Sequence, residues 1–112
     1  MKIYHNPRCR KSRETLQLLK DAGKEPEIIE YLKTPPSTAQ LKEIIDLLQV
    51  SPEQIIRKGE KLYKDKFKNK KIDDQEWLKI LNENPVLIER PIVISNNKAV
   101  IGRPPENVKV LI

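Results

Sequence analysis

The 112 residues are enough for one domain and too few for two, and 38% hydrophobic with 34% charged residues is ordinary for a globular protein. A net charge of +6 favours anionic partners. No run approaches the roughly 18 apolar residues of a membrane span, and the start of the chain does not read as a secretory leader, so a cytoplasmic protein with no membrane partner is expected.

Residues 2–4 read as a short strand, closed by the turn-forming His5, Asn6 and Pro7. Leu16, Leu18, Leu19 and Ala22 at helical spacing predict a helix over 10–22, with Gly23 as its stop. A strand is expected at 27–32 around Ile28 and Ile29, ended by Thr34, Pro35 and Pro36. Ser37 with Gln40 has the form of a capping box, and Leu41, Ile44, Ile45 and Leu48 continue it at i, i+3, i+4 and i+7. Ser51, Pro52, Glu53 and Gln54 repeat that start signature, with proline at the first helical position.

Residues 58–71 form a lysine-rich block, which reads as a solvated face or mobile loop. Its two aromatics, Tyr63 and Phe67, are too few for a base-stacking platform, and no nucleic acid is expected as a partner. A further helix fits 74–82, with Trp77, Leu78 and Leu81 available for burial. Two strands joined at Asn96 and Asn97 predict a hairpin, and a short final helix carries Val108 and Leu111. The order is strand, helix, strand, a helical middle, hairpin and helix. It implies an α/β fold, a small mixed sheet with helices on its faces.

Cys9 is the only cysteine, so no internal disulfide or zinc cluster can form, and thiol chemistry needs an external thiol. It stands after the first strand and at the start of the first helix, where unpaired N–H groups and the helix dipole favour a thiolate. Arg8, Arg10, Lys11 and Arg13 crowd the same turn and are expected to favour the anion further. Ser12 occupies the place of a resolving cysteine; its hydroxyl can donate to the thiolate or cap the backbone, but cannot resolve a disulfide. His5, the only histidine, either lowers the thiol pKa as a cation or orients a neighbour as a neutral ring. Arg57, Arg90 and Arg103 each end an ordered element where loops gather. Three guanidinium forks around a thiolate would make an oxyanion pocket.

The chain resembles the glutaredoxin-dependent arsenate reductases of the ArsC family. The resemblance is carried by Tyr4, His5, Asn6, Pro7, Cys9, Ser12, Arg13, Thr15 and Leu16, by the segment from Tyr31 to Pro36, by Arg57 and Lys58, by Arg90, Pro91, Ile92 and Val93, and by Arg103 and Pro104. It implies a thioredoxin-like (glutaredoxin-like) fold as a single domain over 1–112, with a helical insertion at about 37–84. It also implies Cys9 as the nucleophile that attacks the arsenate oxyanion, and His5 as a group that tunes it. Arg57, Arg90 and Arg103 would bind the oxyanion and the thiolate–arsenic adduct. Glutathione would be a co-substrate and glutaredoxin the electron donor, with no cofactor or metal bound. Arg8, Arg10 and Lys11 stand where the family commonly has small residues. Short relatives of the Spx type share the fold and bind RNA polymerase, which leaves a regulatory role as the alternative. Glutathione-dependent reduction of another substrate is a second one.

Overall fold

A four-stranded sheet gathers the two ends of the chain, and the computed structural model describes every residue from Met1 to Ile112. Strand β1 (Lys2–His5) runs into helix α1 (Arg10–Asp21), which crosses over to strand β2 (Glu27–Glu30). Strands β3 (Ile92–Ser95) and β4 (Lys98–Ile101) complete the sheet in the order β2-β1-β3-β4. The β1–β2 pair is parallel, which requires a crossover such as α1, whereas β1–β3 and β3–β4 are antiparallel. This is the mixed sheet that the element order implies, in the thioredoxin-like arrangement that the resemblance implies. Residues Met1–Thr34 and Arg90–Ile112 form this unit, and Pro35–Glu89 form a second, helical one.

Strand alternation divides the sheet unit's core. Ile3 and Val93, opposite each other in the β1–β3 register, face Leu19 of α1 and Val108, with Leu16, Leu18, Val100 and Leu111 packed around them. The last segment, Pro105–Leu111, is a 3₁₀ helix. Its apolar pair, Val108 and Leu111, is spaced by three residues, which is the repeat of that helix rather than of an α-helix. Helix α1 ends one residue earlier than expected. Gly23 takes the left-handed φ of 78° and its N–H reaches Lys20 O, while Lys24 N–H reaches Leu19 O. Three residues of α1 are fully inward, Ser12, Thr15 and Leu19, and two of these are polar. The leucine pattern therefore describes the distal half of the helix only.

The helical unit contains α2 (Thr38–Leu48), α3 (Lys61–Lys66) and α4 (Asp74–Glu83). The Ser37 capping box forms as expected: Ser37 Oγ accepts from Gln40 N–H at 3.1 Å and Gln40 Oε1 accepts from Ser37 N–H at 2.9 Å. The similar signature at Ser51 produces a single 3₁₀ turn, Pro52–Ile55. A start signal alone does not sustain a helix: the chain has no apolar repeat after Ile56, and Ile56 is already extended. Instead Ile56 pairs with Ile88 in one antiparallel bridge, with Arg57 N–H to Leu87 O and Glu89 N–H to Ile55 O both at 2.7 Å. The lysine-rich block is partly ordered. It contains α3, and Tyr63 and Phe67 lie 6.5 Å and 5.7 Å from the Trp77 ring, between centroids. Its two aromatics serve the packing of this unit.

Candidate active site

Cys9 is the N-cap residue of α1, with extended dihedrals of −93° and 122°. Its carbonyl accepts the first helical bond, from Arg13 N–H at 3.0 Å, and its own N–H closes a turn onto Asn6 O at 3.0 Å. An N-cap side chain lies over the unpaired N–H groups of the second and third helical residues. In most helices a serine or aspartate oxygen takes that place. Here it is a sulfur that makes no capping hydrogen bond, and the N–H groups of Lys11 and Ser12 favour its anion electrostatically.

The Cys9 pKa follows from these neighbours. Burial raises it, since the residue is only 9% exposed. The Ser12 N–H, the hydrogen-bonding and charge of Arg90, and the Lys11 N–H outweigh that and hold the thiol below its ordinary value. Arg103 joins them, with Nη1 3.7 Å from Cys9 Sγ. Two arginines from the distant end of the chain thus converge on the sulfur.

The neighbouring cations do not play the part that proximity in sequence suggested. Arg8, Arg10, Lys11 and Arg13 are exposed. Arg10 pairs with Glu14 at 2.8 Å, and Arg13 donates to Pro7 O at 3.0 Å. Side chains of a first helical turn radiate outward, and only the backbone N–H groups point to the N-cap. Lys11 therefore stabilises the thiolate through its peptide, and its ammonium stands in solvent.

His5 and Ser12 form a buried pair behind the cysteine. Nδ1 of His5 and Oγ of Ser12 share a 2.6 Å hydrogen bond, and Ser12 Oγ also accepts from Asn6 N–H at 3.1 Å. The Ser12 hydroxyl is thus turned to His5 and the turn, while its N–H faces the sulfur. Burial lowers the His5 pKa, against an opposing effect of Glu30 and with smaller lowering from Lys20 and Arg13. The lowered pKa leaves the ring neutral at pH 7, bonded through Nδ1 to Ser12. A histidine with a depressed folded pKa binds its proton more readily in the unfolded chain. Stability is therefore full above the unfolded value of about 6.5 and falls as pH drops below it. Thermal unfolding at pH 7.5 and 5.5 is expected to show a lower Tm at the acid pH, and His5→Gln to reduce that difference. An equal difference in both proteins would remove His5 as its source.

Arg57 belongs to the helical unit. It is ion-paired with Glu60, and its Nε lies 3.9 Å from Glu89 Oε1. Arg90 and Arg103 each precede a proline through a cis peptide bond. Two residues at the junction of α1 with the arginine-bearing segments were not among the candidate site residues read from sequence. Thr15 Oγ1 lies 2.8 Å from Lys11 O and 3.2 Å from Gly102 O, and Gly102 N–H reaches Pro91 O at 2.8 Å. A threonine within a helix and a glycine after a strand carry no local signal for this contact.

The comparison with known families fits this geometry: the ArsC family model matches residues 4–111. The chain belongs to the ArsC family. An arsenate reductase of Neisseria meningitidis is 41% identical, over all of this chain and 97% of its own length. YfgD of Escherichia coli K12, an uncharacterized protein, is 47% identical over 96% of this chain and 92% of its own. Among solved structures, an arsenate reductase from Vibrio cholerae superposes with a TM-score of 0.95 at 42% identity, covering 99% of this chain and 96% of that one. In this ArsC-family chain no helix is long and apolar enough to cross a membrane.

Proposed function

We propose that the chain is an arsenate reductase that uses Cys9 as its nucleophile and draws electrons from glutathione and glutaredoxin. The observation that carries this reading is the Cys9 sulfur at the α1 N-cap, with a lowered pKa and with Arg90 and Arg103 directed at it. Guanidinium groups match tetrahedral oxyanions, so the pair that stabilises the thiolate also suits the arsenate that the thiolate attacks. Arg57 is assigned as a third oxyanion ligand on the family resemblance.

The thiolate displaces one oxygen at arsenic to give a Cys9–S–As(V) adduct, and that oxygen leaves as water once protonated. Glutathione then displaces a second oxygen at arsenic, which also leaves as water. Glutaredoxin thiolate attacks the glutathione sulfur, the electron pair of the S–As bond passes to arsenic as As(V) becomes As(III), and the two external thiols end as a disulfide. Water then replaces the Cys9 sulfur at arsenic, so arsenite departs and the Cys9 thiolate is restored. The net change is arsenate plus two thiols to arsenite, a disulfide and water. The chain's single cysteine agrees with this scheme, because both resolving thiols come from outside.

The test is a single-turnover assay with arsenate, glutathione and glutaredoxin, with Cys9→Ser as control. Arsenite well above that control is the expected result. Arsenite no higher than the control would overturn the proposal, and replacing arsenate by a mixed glutathione disulfide in the same assay would then look for another acceptor.

A further inference from the structure

Arg90 and Arg103 lie on different segments, yet both reach the same sulfur. Each is one residue from a single contact point. Arg90 is followed by Pro91 and Arg103 is preceded by Gly102. Pro91 and Gly102 are joined by the 2.8 Å bond from Gly102 N–H to Pro91 O. The helix that carries Cys9 meets them there through Thr15, which is fully buried. Its hydroxyl lies 2.8 Å from Lys11 O and 3.2 Å from Gly102 O.

This junction has no spare volume. A Cβ placed on Gly102 would stand 2.6 Å from Thr15 Oγ1, 2.9 Å from Thr15 Cγ2 and 2.9 Å from the Pro91 ring. Separations below about 3 Å are far inside van der Waals contact, and both neighbours are stiff, one β-branched and one cyclic. Adding one methyl group would have to part α1 from the two arginine-bearing segments. Thr15 is also tied to the sulfur by a second route. It bonds the carbonyl of Lys11, whose N–H is among the groups that face Cys9 Sγ.

We propose that Thr15 and Gly102 are positioning residues: their contact, closed by Pro91, sets the distance of the Arg90 and Arg103 guanidinium groups from the Cys9 sulfur. Neither touches the sulfur or the oxyanion. Glycine is required at 102 because the close approach leaves no room for a side chain, and threonine at 15 supplies both the hydroxyl and the methyl that fill the gap. The consequence for arsenate rests on the function proposed above, whereas the consequence for the thiolate does not.

The experiment therefore reads the thiolate first. The rate of Cys9 alkylation by iodoacetamide is followed against pH for the parent, Gly102→Ala, Thr15→Val and Thr15→Ser, with circular dichroism to establish folding. Retreat of the guanidinium groups removes positive charge from the sulfur. The alkylation midpoint of Gly102→Ala and Thr15→Val is therefore expected to move to higher pH, and Thr15→Ser, which keeps the hydroxyl, to stay near the parent. Arsenate kinetics come second. A misplacement of about 1 Å can cost on the order of 100-fold, expected here as a raised KM with a smaller change in kcat. Folded Gly102→Ala with the parent's midpoint would overturn the proposal. Should Gly102→Ala not fold, Thr15→Val decides: a parent-like midpoint overturns it equally. A shifted midpoint in a protein that never reduces arsenate would uphold the positioning role and refute the reductase reading alone.

Discussion

Arg90→Ala is expected to raise the midpoint of Cys9 alkylation by about one to two pH units, because a hydrogen bond to a charged group contributes about 1.5–3 kcal/mol and one unit corresponds to about 1.4 kcal/mol. The sign follows from linkage. Arg90 stabilises the anion, so its removal favours the protonated thiol and pushes the midpoint toward the ordinary thiol value of about 8.5. The Ser12 and Lys11 N–H groups remain, so the shift stays partial. Below the new midpoint the variant holds less thiolate than the parent. Arsenate reduction near neutral pH should fall further than alkylation does, since the oxyanion loses a ligand as well. Arg90→Lys keeps the charge and loses the fork, so it should recover alkylation better than it recovers arsenate turnover. A pH profile of Arg90→Ala that overlays the parent's would show that Arg90 has no part in holding the thiolate.

The second large effect is expected far from the cysteine. Trp77 is buried in the helical unit, and Tyr63 and Phe67 pack on it from the lysine-rich segment. Trp77→Ala should lower the unfolding free energy by about 3–5 kcal/mol, the range for emptying a buried aromatic site. Its Nε1 is buried and has no hydrogen-bond partner, so Trp77→Phe gives up no polar contact and should cost clearly less. The local consequence is sharper than the global one. Tyr63 and Phe67 in Trp77→Ala lose the surface that holds residues 58–71, and the many lysines there become accessible to trypsin. Limited proteolysis under native conditions should cut the variant in this segment first and the parent much more slowly. Identical cleavage patterns would mean that the segment is held by something other than the aromatic packing.

These two regions also mark how far the sequence could be read. The lysine block looked like a solvated face because its charges dominate any average over the window. Tyr63 and Phe67 stand four residues apart and would have needed a known partner, Trp77, to be read as packing residues. At the cysteine, the position at a helix start was readable from a turn followed by a periodic helix. The cause of the thiolate was only half readable. Arg8, Arg10, Lys11 and Arg13 are adjacent in sequence and point away, whereas Arg90 and Arg103 are 81 and 94 residues distant and point inward. Nothing in local spacing encodes that convergence: the arginines drew notice as ends of ordered elements where loops gather, and the family pattern then grouped them around Cys9. Thr15 belongs to the family pattern, but its contact with Gly102 was not legible there, because that contact depends on a missing Cβ. The helices separate in the same way. The repeat of Leu41, Ile44, Ile45 and Leu48 continues its capping signal and gives α2, while Ser51 starts a turn that nothing extends.

The outermost strand has a consequence for how the chain behaves when crowded. β2 lies at the sheet's border, is four residues long, and sets Glu27 and Glu30 at its ends around Ile28 and Ile29. If two copies were laid edge to edge in antiparallel register, each Glu27 would stand opposite a Glu30 at both ends of a four-residue ladder. Like charges placed directly across a ladder oppose pairing. The border thus carries its own repulsion toward copies of itself, even though Ile28 is 45% exposed there. Two carboxylates on one short strand therefore oppose edge-to-edge pairing of copies, apart from any effect of the overall positive charge.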